Sequence, residues 1–75
     1  MRTKILNRRS MFRNIAGLSL GDRAYCGPYG TVTCIKAASE ARDGVRRFKV
    51  AGSKKLANGG NWTLKGLREA ISLVD

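Results

Sequence analysis

The chain has 75 residues, which is enough for one small domain. It carries 15 Lys and Arg against five Asp and Glu, a net charge of +10, while 43% of its residues are hydrophobic. That hydrophobic content argues against a fully disordered chain, because disorder combines high charge with few apolar residues. The absence of His removes the commonest general acid–base group and the commonest metal ligand, and two Cys cannot complete a four-ligand zinc site. We therefore expect a protein that is not an enzyme and that holds no metal or other cofactor.

The basic residues are concentrated in two segments. Residues 1–20 carry five basic residues and no acidic one, and residues 41–60 carry six basic residues and one acidic one. Apolar residues recur within both segments, which is typical of folded elements charged on one side rather than of a solvated tail. The first segment resembles a transit peptide in charge but lacks the continuous apolar run of a secretory signal, and no run is long enough to span a membrane. We expect a cytoplasmic protein without a membrane partner.

The N-terminal segment, residues 1–17, is predicted to form a basic helix or arm that precedes a small α+β domain over residues 18–75. The helical pattern runs over residues 4–16 and ends at a glycine, a natural stop. At 100° per residue its apolar side chains share one broad face. Lys4 and Arg8 interrupt that face, so the helix is imperfectly amphipathic.

A β-hairpin is predicted in the middle of the chain, with strands over Thr31–Ala37 and Val45–Ala51. Asp43-Gly44 supplies the positive-φ residues of a two-residue type I′ turn, and a looser turn over residues 38–44 is the alternative. The two-residue turn sets a register that sorts the side chains cleanly. The apolar side of this register is Ile35, Ala37, Phe48 and Val50, and the basic side is Lys36, Arg47 and Lys49.

A C-terminal helix is predicted over Leu64–Val74, where apolar residues follow a helical spacing. Thr63 is suited to be its N-cap. Trp62 precedes the cap and can pack against Leu67 as a hydrophobic staple. Trp62 is accordingly interpreted as a core residue rather than a stacking platform.

The predicted fold class is α+β, in a single small domain. An antiparallel hairpin or three-stranded sheet packs against the C-terminal helix, with the basic helix or arm at the N-terminus. The third strand is expected within Leu20–Cys26, and residues 52–61 are expected to form a flexible polar loop. Because so small a sheet leaves an edge to cover, a homodimer is one expected assembly.

Cys26 and Cys34 are interpreted as two reduced thiols, with Cys34 partly buried. Strands on either side of the Gly-Pro turn could bring the pair together, which is the alternative. A secreted chain of this size would usually carry more than one disulfide. The interpretation as free thiols agrees with a cytoplasmic location.

The excess of cations predicts a small nucleic-acid-binding protein that contacts the phosphate backbone through a basic strand face and a Lys-containing loop. A purely solubilising surface is the alternative, but +10 exceeds what the solubility of a small domain needs. Tyr25 and Tyr29 could stack on bases or pack over the sheet edge. The predicted nucleic-acid-binding residues are Arg46, Arg47, Lys49, Lys54, Lys55, Lys36, Arg8, Arg9 and Arg13.

A second function class stays open at this stage. One core, no catalytic equipment and two distinct faces also suit a small interaction or inhibitor protein of the viral or mobile-element type. Such a protein would dock on the acidic surface of a larger enzyme or on a ribonucleoprotein, and a structural subunit of a ribosome-like particle is a further alternative. Phosphate contacts carry no sequence information, so DNA and RNA are equal expectations.

Overall fold

Two helices and a four-stranded antiparallel sheet make up the protein in a computed structural model that describes residues 8–74. The strands follow one another in the sheet in chain order, so every connection joins neighbours. The elements are helix α1 (Arg8–Ala16), strands β1 (Arg23–Tyr25), β2 (Thr31–Lys36), β3 (Arg47–Ala51) and β4 (Gly59–Trp62), and helix α2 (Leu64–Val74). Short 3-10 turns at Gly27–Tyr29 and Ala38–Glu40 precede and follow β2.

The predicted α+β fold class is confirmed, with a sheet of four strands rather than two or three. The additional strand is β4, which occupies part of the segment predicted to be a loop. Its sequence, Gly-Gly-Asn-Trp, has little strand propensity, and Asn61 adopts a φ of 68°. Only its pairing with β3, Phe48 opposite Trp62, defines it as a strand. The start predicted for the first helix, residue 4, lies outside the described residues, whereas its end at Ala16 agrees with the prediction.

The register predicted for the β2–β3 hairpin is wrong, and the looser connection is correct. Val32 lies opposite Val50, and Cys34 lies opposite Phe48. This register buries Val32, Cys34, Phe48 and Val50 against the helices. The free energy gained by that burial outweighs the benefit of a tight turn at Asp43-Gly44. A bulge follows Cys34, and it leaves Ile35 41% exposed instead of in the core.

Both helices cover the same face of the sheet and contribute two fully buried side chains each. The N-cap prediction for α2 is confirmed, because the Thr63 Oγ1 accepts a hydrogen bond from the Gly66 backbone N–H at 3.0 Å. Trp62 packs on the core as predicted, and its Nε1 donates to the Ala57 carbonyl at 3.2 Å. The buried core is formed by Met11, Ile15, Cys26, Val32, Cys34, Phe48, Val50, Leu56, Leu67 and Ile71.

Cys26 and Cys34 are both free and buried, and the sheet holds them apart. The backbone N–H of Cys26 donates to the Gly30 carbonyl, whereas that of Cys34 donates to the Asp22 carbonyl at the other end of the β1–β2 pair. The alternative in which they pair across the Gly-Pro turn is therefore wrong. Cys34 is also more deeply buried than predicted, at 1% exposed, and burial raises the pKa of the Cys26 thiol.

Candidate nucleic-acid interface

The face of the sheet turned away from the helices carries cations beside hydroxyl groups and a tyrosine. We call this surface the outer face. Arg23 of β1 and Lys49 of β3 both lie opposite Thr33 of β2, so the three form one row across the sheet. Neighbouring strands are about 4.8 Å apart, which separates the two cationic residues by roughly 10 Å. The outer face consists of Arg23, Tyr25, Thr31, Thr33, Lys36, Arg47 and Lys49.

Tyr25 extends the outer face by one further row. It lies opposite Thr31, about 7 Å along the strands from the row of Arg23 and Lys49. The Tyr25 residue is 74% exposed, whereas Tyr29 is half-buried and packs on the core. Of the two alternatives given for these rings, packing therefore describes Tyr29, whereas the Tyr25 ring is exposed and can stack.

The segment that carries Lys54 and Lys55 is an ordered loop and not the predicted flexible one. The Ser53 hydroxyl accepts hydrogen bonds from the backbone N–H groups of Lys55 and Leu56, at 3.2 and 2.7 Å. The Asn58 side chain bonds the backbone of Ser53 in both directions, and Leu56 is buried beneath the loop. These bonds hold the backbone of both lysines in place while their side chains stay exposed.

Close backbone packing fastens this loop to the end of the sheet. The Lys54 backbone N–H donates to the Pro28 carbonyl at 3.1 Å. Gly30 allows this approach, because it adopts a φ of 83° and a Cβ there would overlap the Ala51 carbonyl oxygen and lie 2.7 Å from the Ser53 nitrogen. The Lys55 ammonium lies 6.0 Å from the centre of the Tyr29 ring. The loop lysines therefore occupy a fixed place beside the strand end that bears Ala51.

Two of the predicted binding residues have side chains that hold the fold. The half-buried Arg46 donates from Nη1 to the carbonyl oxygens of Ala16 and Leu18, at 2.6 and 3.0 Å. It thereby satisfies carbonyls at the C-terminal end of α1, where a cation is favoured. Arg47 forms an ion pair with Asp43 at 2.7 Å and also donates to the Val45 carbonyl.

The carboxylates described in the structure are mostly engaged in turns. Asp22 accepts the backbone N–H of Ser19, and Glu40 accepts that of Ala37. Asp43 accepts the Val45 N–H as well as the Arg47 guanidinium, and these contacts, the guanidinium first, lower the pKa of its carboxyl. Within residues 8–74, Arg23 and Lys49 have no carboxylate at ion-pair distance, so this row keeps its positive charge.

The predicted arginines of the N-terminal segment lie on the helical side of the molecule. Arg8, Arg9 and Arg13 are exposed on α1, away from the outer face. The structure therefore divides the nine predicted residues among different places. Lys36, Arg47 and Lys49 lie on the outer face, where Arg47 is paired with Asp43. Lys54 and Lys55 lie on the loop beside it, Arg46 bonds the end of α1, and Arg8, Arg9 and Arg13 lie on the helical side.

Three further residues belong to these basic surfaces and were not among the predicted set. Arg23 and Tyr25 alternate with Ala24 along β1, a pattern that is too short in a three-residue strand to reveal a face. Arg68 lies on α2 and meets the α1 arginines only through helix packing. Only the prediction of a strand over residues 23–25 could have indicated that Arg23 and Tyr25 share a face.

No known family model, curated protein or solved structure matches the chain, so its function is inferred from its own residues. Within residues 8–74 no three of the His, Cys, Asp and Glu side chains gather closely enough to hold a metal ion. No helix in that range has the length and apolar character needed to cross a bilayer.

Proposed function

We propose that the protein binds nucleic acid through the outer face and the adjoining Lys54–Lys55 loop, mainly by contacting phosphates. The observation that carries this proposal is the row of Arg23 and Lys49 on the sheet face opposite α1 and α2, without a carboxylate among residues 8–74 to neutralise it. Nucleic-acid backbones are lines of closely spaced negative charges, and neutralising them releases condensed counterions. A flat array of cations is the complementary surface.

The chemistry around these cations supports contact with a strand rather than with a single ion. The Arg23 guanidinium can bond two phosphate oxygens at once, whereas the Lys49 ammonium acts as a point charge. Thr33 places a hydroxyl group between them and Thr31 another in the row of Tyr25, and hydroxyls commonly bond phosphate oxygens. The exposed ring of Tyr25 offers a stacking surface to a base or a ribose, which is how single strands are often held.

The ordered loop supports the proposal because it lengthens the cationic surface at little entropic cost. Lys54 and Lys55 are held by backbone bonds before any ligand arrives, so binding does not have to order the loop backbone. Because a secreted chain this small usually carries disulfides and Cys26 and Cys34 are both free, we propose a cytoplasmic location.

A salt titration with a matched pair of variants tests the proposal. For about six phosphate contacts, the affinity for nucleic acid should fall on the order of 10³-fold between 50 and 200 mM salt. For duplex DNA, Lys49→Ala should make the negative slope of log affinity against log salt shallower by about 0.9, the value of one phosphate contact. Fluorescence anisotropy measures the affinity for each of three labelled ligands, a duplex DNA, a single-stranded DNA and an RNA hairpin, at each salt concentration.

Lys65→Ala is the matched control, because Lys65 is also an exposed lysine but lies on α2, off the outer face. It should leave the slope close to that of the unchanged protein. Affinity that stays flat with salt, or equal losses in the two variants, would overturn the proposal. A protein partner that persists in a pull-down from nuclease-treated extract would instead favour the interaction or inhibitor protein.

A further inference from the structure

The helical side of the molecule holds a groove between α1 and α2 that is lined by arginines from both helices. We call it the arginine groove. Arg8, Arg9 and Arg13 reach it from α1, and Arg68 reaches it from α2. Its volume is about 510 Å³, within the range of pockets that take nucleotide-sized ligands. The other lining residues are Phe12, Ala16, Leu64 and Ser72, so none of the acidic side chains within residues 8–74 lines the groove.

Two arginines of the groove repel each other. Arg9 and Arg13 lie one helical turn apart on α1, and like charges at that spacing destabilise a helix. Neither has a carboxylate at ion-pair distance in residues 8–74, and no described hydrogen bond uses either guanidinium. An anion bound between them would attract both guanidinium groups and offset their mutual repulsion.

Arg68 is held in a pose suited to an anionic ligand. Its guanidinium carbon lies 5.5 Å from the centre of the Phe12 ring, at the floor of the groove. A guanidinium over an aromatic ring is oriented by the contact, and its N–H donors remain available for a phosphate. The hydroxyl of Ser72, one turn further along α2, supplies another donor to the same space.

The groove and the outer face are separate surfaces. The core residues of α1 and α2 lie between them, because both helices pack on the inner face of the sheet. One phosphodiester strand bound to the outer face therefore leaves the groove open to another. A molecule with two such surfaces can hold two segments of nucleic acid at once.

We propose that the arginine groove is a second phosphodiester-binding site, and that one molecule bridges two nucleic-acid segments. This inference rests on the proposed function of the outer face. The ligand is recognised by its phosphates, so a second segment of DNA or of RNA is equally suited to the site. The chain would thereby bring strands together, beyond merely coating them.

A capture experiment tests the bridge. One duplex DNA is immobilised, the full-length protein is added, and a second, fluorescent duplex is supplied in solution, with a parallel arm that uses RNA hairpins. The unchanged protein should retain the fluorescent duplex. Arg9→Ala/Arg13→Ala should bind the immobilised duplex within about twofold of the unchanged protein but retain at least tenfold less of the second one.

Two further variants make the result specific. Arg68→Lys keeps the charge but loses the planar guanidinium, and it should also reduce capture. Lys65→Ala removes a charge from an exposed position on α2 that lines neither the groove nor the outer face, and its capture should stay near that of the unchanged protein. Circular dichroism melting of each variant shows that the helices are intact.

The outcomes separate this inference from the proposed function. Binding of the first duplex without capture of the second, or full capture by Arg9→Ala/Arg13→Ala, overturns the bridge and leaves the outer face as a binding surface. Failure of the unchanged protein to bind even the first duplex overturns both.

Discussion

The two ends of strand β3 use their neighbouring cations in opposite ways. At its beginning, Arg46 bonds the carbonyls at the end of α1, and Arg47 pairs with Asp43. At its other end, backbone packing at Gly30 and the bonds of Ser53 hold the structure, and the Lys54 and Lys55 side chains remain exposed. One basic segment of sequence thus contains cations whose side chains bond distant parts of the fold and cations whose side chains are exposed to solvent.

This difference shows that net charge in a sequence is not the same as charge offered to a partner. A guanidinium at a helix C-terminus already donates to carbonyls and lies at the negative end of a dipole, so a phosphate gains little from it. Lys49, midway along β3, does neither. The three predictions below test the contrast between the two ends, in order of the expected effect.

Gly30→Ala should cause the largest loss of stability, about 3 kcal/mol. The substitution adds the strain of a positive φ, roughly 1–2 kcal/mol, and an overlap with the Ala51 carbonyl that the packed loop cannot relieve cheaply. Urea denaturation followed by circular dichroism measures the free energy of unfolding.

Gly44→Ala is the control for this prediction, at the opposite end of the sheet. Gly44 has a similar φ of 71°, but a Cβ there meets nothing within 4 Å. It should lose only the backbone strain, roughly 1–2 kcal/mol. Equal losses at the two glycines would show that close packing does not hold the Lys54–Lys55 loop.

Arg46→Ala should lower the free energy of unfolding by about 2 kcal/mol, because it leaves the Ala16 and Leu18 carbonyls without a charged donor. The slope of nucleic-acid affinity against salt should not change. Arg42→Ala, at an exposed arginine in the same segment, should alter stability by less than about 0.5 kcal/mol. A stable Arg46→Ala protein with a reduced salt slope would move Arg46 into the interface.

Asp43→Asn should have the smallest effect on stability, with a defined dependence on pH. The Arg47 hydrogen bond, and then that of Val45, lower the pKa of Asp43 in the folded protein. The ionised carboxylate therefore stabilises the fold fully above the unfolded pKa of about 4, and this contribution is lost as the pH falls through the lower folded value.

Melting temperatures of Asp43→Asn and of the unchanged protein, taken from pH 7 downward, measure this effect. The two should differ at neutral pH and converge in acid. The variant should also bind nucleic acid more tightly at low salt, because Arg47 loses its partner. A difference in melting temperature that is constant with pH would contradict the assigned role of the pair.

The C-terminal helix could be predicted almost entirely from the sequence. Its apolar spacing, its Thr63 cap and its bounds all depend on residues within one or two turns of each other, and local patterns report local structure well. The hairpin register could not be predicted from the sequence, because Asp43-Gly44 is by itself a favourable sequence for a tight turn. Burial of Val32 and Cys34 against the helices outweighed it, and no local signal measures that gain.

The candidate site divides in the same manner. Lys36 and Lys49 follow from alternation along strands, whereas the contacts of Arg46 depend on where α1 ends, some 30 residues earlier in the chain. Strand β4 forms because it pairs with β3, since its own glycines have little strand propensity. Residues far apart in sequence set each of these features.

The sequence by itself determined the α+β class, the second helix, the lack of His and the excess of positive charge, since these depend on composition or on short-range periodicity. Only the tertiary structure decided which cations stay available, that Arg23 and Lys49 form one row, and that Arg68 joins the arginines of α1. The physical reason is that a side chain's availability depends on the carbonyls, carboxylates and rings that folding brings within a few ångströms of it.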